Sequence, residues 1–122
     1  MKLLTYRVAA QLSGAVCAAL CVTLLCAPEV VFWLFDLAEG DTARVLAKRA
    51  GVLFLGLALI LFLTRTHAPN PSRRVVQTAC AVMLGAMALL GALDWARGAV
   101  GAGIWCAIFV EILLAGVLVI AD

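Results

Sequence analysis

Four long apolar runs, separated by short polar segments, leave this chain room for little except membrane-spanning helices. The runs cover residues 8–27, 46–65, 75–93 and 103–120. A crossing takes about 20 predominantly apolar residues, so a chain of 122 residues holds four of them and no separate soluble domain. Composition agrees, since 66% of the residues are hydrophobic and 13% charged, with a mean hydropathy of +1.17. A soluble domain of this length could not bury that much apolar surface. The expected fold is all-α: an integral membrane four-helix bundle with an up-and-down path, forming one transmembrane domain over residues 1–122.

The breaks between runs carry recognisable punctuation. Pro28 follows the first run and suits the first turn of a new or kinked helix. Residues 28–38, very apolar at Val30-Val31-Phe32-Trp33-Leu34-Phe35, either lengthen the first span through a kink or lie at the interface as a short helix. Glu39-Gly40-Asp41 reads as a turn, with Asp41 or Thr42 as the next N-cap. His67 to Arg74, with Pro69 and Pro71, is the clearest polar linker, and Asp94 to Gly103 is a short connection into the last span. Lys2 and Arg7 ahead of an apolar run resemble a signal peptide. Cleavage after Ala27 would, however, leave Pro28 first, with Leu25 where a small residue is wanted, so the segment is expected to stay. Cys17, Cys21 and Cys26 each follow Val or Leu, which argues against lipid attachment.

The net charge of +2 is spread around the apolar runs and offers no basic face for nucleic acid. The path puts Lys2, Arg7, Arg65, Arg73 and Arg74 on one side, against Arg44, Lys48, Arg49 and Arg97 on the other. Trp33, Trp95 and Trp105 fall at the far end and Tyr6 at the near end, as interfacial anchors should. Both termini are accordingly expected in the cytoplasm, in a cell membrane of the bacterial inner type.

Glu111 is the lone carboxylate in the last run, and at mid-membrane depth a charge costs about 2.5–3.5 kcal/mol. Ala107 and Ala115, one turn away on either side, leave space beside it, so it is expected to face the bundle interior. Arg49, near the same end of the second span, is the first expected partner, with Lys48 and Arg44 behind it. Asp94 and Arg97 would complete a polar cluster. On the third span Ala81, Gly85, Ala88 and Ala92 share one helical face and form a small-residue packing stripe.

Five cysteines include no Cys-x-x-Cys motif. Cys17 and Cys21, four apart, are the only pair that could hold a soft metal, and packing is the commoner use of such thiols. His67 lies in a linker, so no histidine-held cofactor is expected. Arg73 and Arg74 in that linker would attract anionic lipid.

Small multidrug exporters carry an essential acid in the first helix, where this chain has none, and disulfide-generating quinone reductases need paired loop cysteines that are missing. Ala27-Pro28 closing the first span, Lys48-Arg49-Ala50-Gly51 in the second, Arg73-Arg74 before the third and Val110-Glu111 in the fourth carry another likeness. In this layout the chain resembles an uncharacterised bacterial four-helix inner-membrane family of unknown function. The resemblance covers most of the chain and implies a four-pass fold but no activity.

Three functions fit this reading. The first is a non-catalytic helical packing module that self-assembles as a homo-oligomer or serves as an accessory subunit of a larger membrane complex. The second is a protein that binds or transports a small amphipathic molecule or lipid through Glu111 and Arg49. The third, an enzyme using Glu111 as acid or base, lacks a second catalytic group at a telling spacing.

Overall fold

A computed structural model describes residues 5–121; Lys2, counted above in the charge balance, lies outside the described residues. All regular structure among these residues is helical: α1 (Tyr6–Cys26), α2 (Pro28–Phe35), α3 (Asp41–Thr64), α4 (Pro71–Ala96) and α5 (Ile104–Ile120). Helices α1, α3 and α4 are long and apolar enough to cross a membrane. Helix α5 is the most apolar of the four longer helices but has only 17 residues, about 25 Å at 1.5 Å per residue.

Local chemistry sets the helix ends. The Thr5 hydroxyl accepts from Val8 N–H at the start of α1, and the Asn70 Oδ1 accepts from Arg73 N–H at the start of α4, with Pro71 in the first turn. Such caps satisfy amides that have no partner within the helix. Between α1 and α2 the chain breaks at Ala27, leaving Pro28 to open α2. Residues 28–35 are thus a separate short helix and not a continuation of α1. It ends at Asp36, in the left-handed region at φ 54°, where Leu37 N–H donates to Phe32 O.

The four longer helices pack as two antiparallel pairs, α1 with α3 and α4 with α5, and contacts between the pairs are much sparser. Glycines mark the closest approaches within each pair. A Cβ on Gly51 would stand 3.2 Å from Leu24 Cβ and 3.3 Å from the Cys21 carbonyl oxygen. One on Gly91 would stand 3.2 Å from side-chain carbons of both Ile104 and Ile108. Of the expected stripe on α4, Ala81 and Ala88 are buried, while Gly85 is exposed with open space around it.

The core is continuous only at the end that carries Tyr6. There Tyr6, Ala9, Ala10, Leu61, Leu84, Leu114 and Leu118 form one buried cluster drawn from all four longer helices. At the tryptophan end it divides into a cluster around Leu24, Phe32 and Ala47 and another around Ala88, Ile104 and Ile108. The pairs therefore close on each other at one end and diverge toward the other. Outward faces are apolar along their length: Leu53 is 72% exposed, Phe109 69% and Leu63 66%. An outer surface of this kind suits lipid and would be an association liability in water.

Candidate site: an apolar cavity between the helix pairs

Where the pairs diverge they enclose a cavity of about 470 Å³, within the roughly 300–1,000 Å³ typical of small-molecule sites. Helix α1 contributes Ser13, Cys17 and Leu20, α3 contributes Phe54 and Leu57, and α4 contributes Cys80, Met83 and Met87. Helix α5 adds Ala107, Val110, Glu111 and Leu114, and Val31, Leu34 and Phe35 of α2 close the tryptophan end. Ala19, Leu34, Cys106 and Val110 line the cavity and are also exposed, so it reaches the surface on the side formed by α1, α2 and α5. The unbranched methionine side chains can adapt to differently shaped occupants.

Three polar side chains interrupt this apolar lining, and one of them, Thr23, has its hydroxyl committed to the Ala19 carbonyl oxygen at 2.8 Å. Glu111 is half-buried, and its Oε2 is shielded from solvent with no hydrogen-bond partner among the described residues. Ser13 is 1% exposed, and its Oγ likewise has no partner. Buried polar atoms are normally paired, and leaving one unsatisfied costs roughly 1–3 kcal/mol. Both side chains belong to residues that line a space otherwise bounded almost wholly by hydrocarbon and sulfur.

Arg49 and Lys48 are exposed, and neither pairs with Glu111. The reason is the pairing of the helices: α3 packs on α1 and α5 on α4, so a cation near the tryptophan end of α3 has no path along a shared interface to Glu111. Arg44 lies 3.7 Å from Glu29 and 3.9 Å from Glu39, at the surface. Asp94, in the last turn of α4, pairs with Arg97 at its C-cap. Trp95 meets Trp105 edge to face at 5.4 Å between ring centroids.

Cys17 lines the cavity whereas Cys21 does not, because its turn of α1 packs against Gly51. All five cysteines are free, and no group of three or more potential ligands is arranged to hold a metal among the described residues.

No family model matches this chain, and no curated protein or solved structure is significantly similar to it.

Sequence reasoning passed over Ser13 and Gln77, and it placed Arg73 in a solvated linker and not in a buried position. Each is a polar side chain at or near an apolar run that is nonetheless buried: Arg73 is 7% exposed and Gln77 5%. The signal available was the isolation of Ser13 and Gln77 among apolar neighbours, the same signal that singled out Glu111.

Proposed function

We propose that this chain is a four-pass integral membrane protein that binds a small, mostly apolar molecule between its two helix pairs. The occupant carries at least one hydrogen-bond donor, which pairs with Glu111. The observation that carries this reading is Glu111, whose Oε2 has no partner among the described residues, in the lining of a largely apolar cavity of about 470 Å³. An amphipathic alcohol, an amine or a single lipid chain with a polar head fits that description. Entry is sideways from the hydrocarbon, on the side where Ala19 of α1, Leu34 of α2 and Cys106 and Val110 of α5 are the exposed lining residues. The activity is binding or carriage and not catalysis, with both termini on the cytoplasmic face of a bacterial inner membrane.

Native mass spectrometry of protein extracted gently from its own membrane tests this proposal, with Glu111→Gln in parallel. A bound small molecule or lipid that is retained by the wild type and depleted in the variant supports it. A wild-type protein that carries nothing beyond what the variant carries overturns it.

A second reading, a packing module within a homo-oligomer or larger membrane complex, draws on Gly85. That residue lies on the exposed face of α4 with open space where a Cβ would stand, so another helix could approach closely there. Crosslinking in the native membrane decides it. Gly85→Leu should abolish any captured neighbour, and a monomer that captures none removes this reading.

A further inference from the structure

At the opposite end of the molecule from the cavity mouth, a second pocket of about 370 Å³ is lined by Pro69, Asn70, Arg73, Arg74, Gln77 and Ala121. Arg73 is almost wholly buried and held on two sides. Its guanidinium lies over the Tyr6 ring at 4.6 Å, and its Nη1 donates to the His67 carbonyl oxygen at 3.1 Å. Its Nε–H, on the other edge of the fork, has no partner among the described residues. Burying a guanidinium while leaving a donor unmatched is costly, and the planar fork is the side chain best shaped to grip a tetrahedral anion.

Two further observations give the pocket the same sign. Arg74 adds a second cation, and the 26-residue helix α4 begins here with its positive dipole end. Gln77 leaves Arg73 as the pocket's buried donor, because Gln77 Nε2 is already committed to the Leu118 and Ala121 carbonyls.

We infer that this pocket binds a phosphate group, carried either by the headgroup of an anionic lipid or by a soluble phosphate ester. Arg73 grips the group through its Nε edge and Arg74 supplies the second charge. The site is independent of the cavity and of its occupant. It also differs from general attraction of arginines to an anionic surface, because the gripping guanidinium is buried and oriented before the ligand arrives.

The test reconstitutes the protein in mixed phosphatidylcholine and phosphatidylglycerol bilayers, extracts it in mild detergent and counts retained lipids by native mass spectrometry. A parallel arm titrates delipidated protein with glycerol phosphate. Wild type should retain phosphatidylglycerol in preference to phosphatidylcholine, and loss of one charge-assisted contact in Arg74→Gln should lower that preference about tenfold. Arg65→Gln should leave it unchanged, since Arg65 sits at the same end but is stacked on Phe62 outside the pocket. Arg73→Gln should abolish it; if that buried variant does not fold, wild type, Arg74→Gln and Arg65→Gln still decide. Glycerol phosphate binding without lipid preference assigns the soluble ester as the source. Absence of both, or an equal loss in Arg65→Gln, overturns the inference.

Discussion

Gln77 on α4 donates from Nε2 to the Leu118 carbonyl oxygen at 2.9 Å and to that of Ala121 at 3.2 Å, at the last turn of α5. One amide thus reaches two carbonyls at the C-terminal end of α5, where helix carbonyls run out of intrahelical donors, and fastens the α4–α5 pair at the Tyr6 end. Gln77→Leu keeps the volume and removes the donor. It is expected to destabilise the fold by about 1 kcal/mol, read as a shifted midpoint in detergent unfolding followed by tryptophan fluorescence.

Gly51 and Gly85 give opposite expectations for the same kind of change. Gly51→Val would drive new carbons into Leu24, Leu25 and the Cys21 carbonyl, where even a single Cβ is crowded, and should cost about 1–3 kcal/mol. Gly85→Ala meets nothing within 4 Å and should be neutral or slightly stabilising through helix propensity. Thermal melts of the two variants in one detergent compare them directly.

Ala107 lines the cavity one turn from Glu111, so Ala107→Phe should fill space that an occupant needs. Loss of the co-purifying molecule with an unchanged or raised melting temperature is the expected pair of results. Loss of binding together with the fold would mean that the new ring does not enter the cavity.

Tyr6 and Thr64 join the ends of α1 and α3 through a 2.8 Å hydroxyl contact. Thr64 Oγ1 donates to the Ile60 carbonyl at 2.7 Å, so its oxygen is left to accept the Tyr6 proton. Tyr6→Phe should cost about 0.5–1.5 kcal/mol, whereas Tyr6→Ala should cost roughly 3 kcal/mol or more because it also opens a core position. Chemical unfolding of both variants separates the hydroxyl from the ring.

Arg44 faces Glu29 and Glu39 across 3.7 and 3.9 Å, with all three side chains about half exposed. Arg44→Ala is expected to change stability by less than about 1 kcal/mol, and the difference between wild type and variant should shrink further in high salt.

Helix positions were legible because their breaks are chemical: Pro28 opens α2, Glu39-Gly40 precede α3 at Asp41, and Pro69-Asn70 precede α4 at Pro71. Hydropathy nevertheless misplaced some ends. Helix α4 begins at Pro71, four residues ahead of its apolar run, whereas α3 begins at Asp41 with Gly40 as its N-cap, within two residues of the caps expected at Asp41 or Thr42. Charged residues such as Arg44, Lys48 and Arg74 end an apolar run, but they do not interrupt a backbone hydrogen-bond ladder. Glu111 could be singled out from the sequence because it is the one acid in its run. Its surroundings could not, since which helices pair, and therefore whether Arg49 can reach it, depends on contacts such as Gly51 against Leu24 and Gly91 against Ile108. Small-residue spacing alone pointed to Gly85, which the fold leaves exposed.

The single core at one end and the divided core at the other make the molecule two hairpins hinged near Tyr6. Each hairpin is local in sequence, and the cavity lies between the two. Any occupant is then shared between halves that otherwise touch sparingly toward the tryptophan end. By linkage its binding free energy adds to their cohesion, worth about 2.7 kcal/mol at a hundredfold excess over Kd. Filling the cavity and holding the halves together become one equilibrium.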